Sequence, residues 1–183
     1  MKHGKTYQIF PAICAAGFLS ILVIAEPANA DGLLEVEQTV FGMDCAPCAY
    51  GVEKSLLGLP GVEKVNVSLN LGKVSLTLAP QNPVTIQQIR RRIRNNGFTP
   101  REAHVRALGK LVHRDNQVEL VLGPGSVLRL IPGTQADLDW DEIRRLEPGN
   151  IVEIAGQIAT ESGEPPQVSV ITLILRSNRD ASG

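Results

Sequence analysis

Cys45 and Cys48 stand three residues apart in the run Gly42-Met43-Asp44-Cys45-Ala46-Pro47-Cys48, and no other pair of side chains in the sequence is so well placed for chemistry. The chain holds 3 cysteines, and the third, Cys14, lies in an apolar leader. Two sulfurs at this spacing can pinch one soft ion, close into a structural or regulatory disulfide, or run thiol–disulfide exchange. Thiolates favour Cu(I), zinc and the heavier thiophilic ions, yet two ligands fall short of the four that complete a structural zinc shell. Capture of a metal ion at an open, exchangeable site is the chemistry the pair supports first, with Cys45 and Cys48 as ligands.

Other candidates surround the pair. Asp44 could add a hard third ligand that favours Zn(II), Cd(II) or Pb(II), or serve as the N-cap of a following helix or as a solvated acid near its start. His104 and His113 could add imidazoles, although isolated histidines are more often ordinary surface or core residues. Arg90, Arg91, Arg92 and Arg94 make a basic helix that either presents a solvated face or docks an acidic partner, including Asp137 to Glu142 of the same chain. Trp140 could stack on a ligand, but a helix-borne tryptophan more commonly plugs the end of a small barrel.

The elements that must position these residues can be read from periodicity. Leu34, Val36 and Val40 alternate with polar residues, which predicts a strand leading into the cysteine loop. Pro47, then Val52, Leu56 and Leu59 at helical spacing, predict a helix from the loop to Gly58, with Cys48 in its first turn. Residues 65–71 and 74–78 alternate around a turn at Asn70-Leu71-Gly72 and predict a β-hairpin. Thr85 as N-cap, Ile86, Ile89 and Ile93 on one face, and Gly97 as a left-handed stop predict a second helix. A last strand is expected over 98–105. Strand, helix, strand, strand, helix, strand is the split-βαβ, ferredoxin-like arrangement.

Beyond residue 104 the character changes. Residues 105–183 hold eight Lys or Arg against eleven Asp or Glu, a net of −3, whereas residues 31–104 hold eight against seven, a net of +1. Strands are expected at 106–114, 117–122, 126–131, 151–158 and 167–175, with a short helix opening in 137–143. That order suggests a small OB-type (oligosaccharide/oligonucleotide-binding) barrel over 105–177, before a frayed tail at 178–183. The fold class expected is α+β: a ferredoxin-like βαββαβ domain over 31–104 followed by this small barrel domain, joined without a flexible linker.

The whole chain, 183 residues with a formal net charge of −1 and 43% hydrophobic residues, is globular in composition, and no strong charge points to nucleic acid. Trp140 is the sole aromatic of the second part, which argues against a single-strand groove. Lys2 and Lys5, an apolar run from Ile9 to Ala25 and the small-x-small Ala28-Asn29-Ala30 predict a secretory signal peptide over 1–30, so that the mature chain begins at Asp31 in a periplasmic or secreted location. If the leader stays uncleaved it becomes a membrane anchor. Two thiols exported to an oxidising compartment face disulfide formation as a competitor of metal binding.

With these residues in view, the stretch from about 34 to 104 resembles the heavy-metal-associated domain. Gly42, Met43, both cysteines, Leu59-Pro60-Gly61-Val62 and Gly97-Phe98 carry the resemblance. The family includes copper chaperones, the amino-terminal domains of metal-pumping ATPases and exported mercury-binding proteins. The resemblance implies Cys45 and Cys48 as ligands, Met43 as a buried pin for the loop, and Phe98 as an aromatic neighbour. It also implies a non-enzymatic protein whose cargo is Cu(I), or Zn(II), Hg(II) or Cd(II), and whose partner is a metal-transporting ATPase or another metal-handling protein. Zinc-pump domains with an acid before the first cysteine imply a ligand role for Asp44. A redox module on the same cysteines, and an adaptor acting through the second domain, are the alternative functions.

Overall fold

The computed structural model describes residues 31–123, 125–133 and 138–176; the expected leader at 1–30, with Cys14, and the expected tail at 178–183 lie outside them. The first half is built from β1 (Gly32–Phe41), α1 (Ala46–Leu57), β2 (Val62–Ser68), β3 (Lys73–Leu78) and α2 (Ile86–Asn95), followed by β4 (Thr99–Arg114). Its strands lie in the order β2-β3-β1-β4, all antiparallel neighbours, which is the ferredoxin-like arrangement.

Local chemistry explains each element. Along β1 the buried residues Val36, Gln38 and Val40 alternate with more exposed ones, and along β3 Val74, Leu76 and Leu78 do the same. α1 buries Val52 and Leu56, and α2 buries Ile86, Ile89 and Ile93, so each helix lays one apolar stripe on the sheet. Thr85 caps α2 in a full capping box with Gln88, and Gly97, at φ 87°, turns the chain out of the helix.

β4 differs from expectation. Two strands, at 98–105 and 106–114, were expected to meet at a domain boundary; β4 is instead one 16-residue strand that crosses it. The reason is visible in its burial: 103, 105, 107, 109 and 111 are all buried, Leu108 is buried on the opposite face, and no turn breaks the run. Near its centre β4 pairs on one edge with β1, up to Gly32↔Leu108, and on the other with β7 from Ala103↔Ile158 to Lys110↔Ile151.

The second half comprises the distal part of β4, β5 (Gln117–Val121), β6 (Val127–Pro132), α3 (Trp140–Arg145), β7 (Ile151–Ile158) and β8 (Gln167–Leu175). Each of these strands pairs with the next in the order β4-β5-β6-β8-β7, and β7 returns to β4, so five strands close a barrel. The β6–β8 pairing is parallel, and the rest are antiparallel. Gly109 permits closure, since a Cβ there would clash with the carbonyl oxygen of Val121. One continuous apolar core runs from Val52 and Ile89 beneath the first sheet to Val118, Leu130, Ile154 and Val168 inside the barrel.

Candidate functional site

β1 delivers the chain to the loop 42–45, and α1 begins immediately after it. Gly42 adopts φ 89°, a conformation that favours glycine, and thereby turns the chain off the end of the strand. Met43 is buried in the core and fixes the loop from beneath, the role the resemblance implied for it. Cys45 is exposed and Cys48 half-buried against the core.

The two sulfurs are brought together and bonded as a disulfide, with Cα atoms 5.1 Å apart. The N–H of Cys48 donates to Cys45 Sγ at 3.2 Å, and the N–H of Ala49 donates to the Cys45 carbonyl at 3.1 Å. Cys45 itself is therefore the N-cap of α1, with Pro47 in the first turn, where its missing N–H costs no hydrogen bond. Of the readings open for Asp44 this removes the helix cap, since Asp44 lies one position too early; its side chain is exposed. The first-turn N–H groups and the positive end of α1 favour negative charge on sulfur whenever the disulfide is opened.

Around this end of the sheet, Phe41 is 66% and Leu71 69% exposed. The Leu71 turn is held beside β1 by the N–H of Val40, which donates to the Gly72 carbonyl at 2.7 Å. The guanidinium of Arg101 lies over the Phe41 ring, 5.5 Å from its centre. Phe98 packs, half-buried, on the same core as Cys48.

The remaining candidates do not converge on the cysteines. His104 and His113 are exposed on β4, nine positions and so about 30 Å apart along the strand. Among the described residues no three of His, Cys, Asp and Glu group closely enough to hold an ion. Trp140 is half-buried on the barrel core at the start of α3. Of the arginine run, Arg91, Arg92 and Arg94 are exposed, but Arg90 is 5% exposed and belongs to the interior.

Arg90 is the residue that sequence reasoning missed. Its Nε donates to Gln38 Oε1 at 3.2 Å, and its two Nη groups donate to the carbonyls of Arg101, Ala159 and Thr160 at 3.0, 2.8 and 3.1 Å. Gln38, fully buried, donates in turn to the carbonyls of Arg101 and Glu102 at 2.8 and 3.0 Å. Burial, and then the charge of Arg94, lower the pKa of Arg90, while Glu102 acts in the opposite sense. The guanidinium thus ties α2 and β1 to the β7–β8 connection of the barrel. The signal available in the sequence was slight: position 90 continues the apolar stripe of Ile86, Ile89 and Ile93.

Residues 38–99 match the family model of the heavy-metal-associated domain, so the chain contains such a domain over those residues. Solved structures to which the chain is similar include the yeast copper-transporter domain Ccc2a, described in apo and Cu(I)-loaded states. It is 33% identical, the match covers 37% of this chain and 90% of that one, and the TM-score is 0.34. A putative copper-ion-binding protein from Bacillus anthracis is 35% identical over 39% of this chain and 97% of its own, with a TM-score of 0.34. Oxidised MerP from Ralstonia metallidurans is 23% identical over 38% and 94%, with a TM-score of 0.35. No curated protein is significantly similar in sequence.

Proposed function

We propose that the heavy-metal-associated domain at residues 38–99 captures one thiophilic ion through Cys45 and Cys48 and passes it by ligand exchange to a metal-handling partner, such as a metal-transporting ATPase. The observation that carries this is the placement of both sulfurs at one solvent-facing helix start within the matched segment. The ion is cargo, and no catalytic step beyond ligand exchange is needed. A thiol reductant must first deliver two electrons and two protons to the disulfide. Once it is open, the Cys48 N–H and the start of α1 lower the cost of thiolate formation, so an incoming ion displaces few protons.

Two soft sulfurs suit Cu(I), which accepts low coordination, ahead of Zn(II), Hg(II) or Cd(II). Asp44, exposed and free of capping duty, is available as a further ligand for a harder divalent ion. In this reading the leader is removed after Ala30 and the protein works in an exported compartment, which the basic start, the apolar run from Ile9 to Ala25 and Ala28-Asn29-Ala30 support. The five-stranded barrel is an OB-type module, since a helix lies between its third and fourth strands and its third strand runs parallel to its fifth. It serves as an interaction or spacer module fixed to the metal domain.

Anaerobic titration of the reduced chain with Cu(I), Zn(II) and Hg(II) distinguishes the outcomes. One ion per monomer is expected, with binding lost in Cys45→Ser and Cys48→Ser; binding that persists in both variants sinks the proposal. The disulfide itself favours a second function, thiol–disulfide exchange on the same pair. Insulin reduction by the reduced chain together with a failure to retain Cu(I) would select it.

A further inference from the structure

α3 closes the end of the barrel that lies away from the cysteine loop, between the end of β6 and the start of β7. Trp140 and Arg144 stand one turn apart on this helix, hence on one face. With Arg129 of β6, Gln117 of β5 and Gln167 of β8 they line a pocket of about 240 Å³. The capping Asp139 and Glu142 of α3 line a separate cavity with Leu173 and Leu175. Among the described residues no carboxylate lines the Trp140 pocket, and its two charged side chains are both arginines.

That concentration of positive charge runs against its surroundings, because residues 105–183 carry eight Lys or Arg against eleven Asp or Glu. Arg129 is only weakly satisfied. Its Nη2 lies 4.0 Å from Glu119 Oε1, beyond hydrogen-bond reach, and its Nε is buried without a partner. Arg144 makes no ion pair among the described residues and is exposed at the pocket rim.

We propose that this pocket binds a small organic carboxylate, with the carboxylate held by Arg144 and Arg129 and a flat or apolar body resting on Trp140. A guanidinium fork matches carboxylate geometry, and an indole supplies a flat wall with a single N–H donor. The amides of Gln117 and Gln167 are placed to bond hydroxyl or carbonyl groups on the same ligand. The volume is below the range typical of larger ligands, which selects compounds of the size of an aromatic acid or a single sugar acid.

Trp140 is the only tryptophan of the chain, so its fluorescence reports on the pocket directly. The full chain is titrated with benzoate and glucuronate, with benzyl alcohol and glucose as neutral counterparts, and with single-stranded oligothymidylate. A saturable change with a carboxylate, none with its neutral counterpart, and an affinity at least about tenfold weaker in Arg144→Ala are expected, with part of the affinity restored in Arg144→Lys. Arg144 is exposed, so its removal leaves the core intact; Gln167→Ala, also at the rim, provides a second variant that should weaken the same ligand. Neutral compounds binding as well as the acids, an unchanged affinity in Arg144→Ala, or a response to the oligonucleotide alone would each overturn the proposal.

Discussion

The side chain of Cys45 does two jobs, one as a sulfur that meets Cys48 and one as the cap of α1. Serine caps a helix at least as well as cysteine, so Cys45→Ser should keep α1 intact while abolishing both the disulfide and metal capture. Circular dichroism of reduced Cys45→Ser should match that of the reduced parent, and a loss of helix would show that the cap is not made as described. Arg90 is the contrasting case. Arg90→Ala leaves the Gln38 amide oxygen and the carbonyls of Ala159 and Thr160 without their donor, at a cost of about 2 kcal/mol, while the Arg101 carbonyl keeps the Gln38 amide; Arg90→Lys recovers little because a compact ammonium cannot reach all of these acceptors. Urea unfolding should show the midpoint falling in both variants at unchanged slope. The cysteines were legible in the sequence because their chemistry depends on spacing along the chain. The role of Arg90 was not, because its acceptors at 159 and 160 lie about seventy positions away, and the one local mark that sets it apart from Arg91, Arg92 and Arg94, its place on the apolar stripe, does not name them.

Among the elements, β4 carries the most consequence, since it is the last strand of the first sheet and the first of the barrel. The strands expected at 98–105 and 106–114 cover β4, and helix periodicity with caps placed α1 and α2. Alternation does not say how many partners a strand has, which is why one strand with neighbours on both edges looked like two. Gly109 marks where β5 presses on β4, and Gly109→Ala should cost about 3 kcal/mol because the contact is to backbone, which cannot rotate away. The outer face of the junction is held differently. Arg106 donates to Glu35 on β1 at 2.7 Å and to Glu153 on β7 at 2.9 Å, and Arg176 donates to Glu153 at 3.0 Å. Burial alone would raise the pKa of Glu153, but hydrogen bonds and charge from Arg106 and Arg176 outweigh it and hold the carboxyl below its ordinary value. A depressed folded-state pKa means that the stabilisation is present above the unfolded-state pKa and is lost as pH falls through the folded one. Glu153→Gln should therefore cost about 1 kcal/mol near neutrality, a modest figure because Arg106 and Arg176 are partly solvated, and should flatten the loss of stability on acidification. Urea midpoints of the two proteins measured at stepwise lower pH should converge; parallel curves would show that Glu153 is not the titrating group.

At the scale of the whole molecule, a shared strand, a shared core and the Arg90 clamp make the two halves one body, although composition and charge divide the chain near residue 105. The sequence could not show this, because the pairings that join the halves, such as Ala103 with Ile158, connect residues far apart in the chain. Cutting at 104 would remove the partners that Gly32, Leu33, Glu35 and Val36 find on β4, so a 31–104 fragment should unfold more readily than the same residues within the chain. Joined in this way, the barrel should also register what happens at the cysteine loop. An ion that binds only the folded, reduced protein stabilises it by RT ln(1 + [L]/Kd), about 4 kcal/mol at a thousandfold excess over Kd, and in a single cooperative unit that gain is felt everywhere. Trp140 lies in the barrel, on the far side of the molecule from Cys45 and Cys48, and reports only on barrel unfolding. Loading the reduced chain with Cu(I) should raise the thermal midpoint seen by Trp140 fluorescence by roughly 10 °C, in step with the midpoint seen by far-ultraviolet circular dichroism. The shift should vanish in Cys45→Ser. A tryptophan midpoint that stays fixed while the circular dichroism midpoint rises would mean that the barrel melts on its own, and that β4 joins two units which unfold separately.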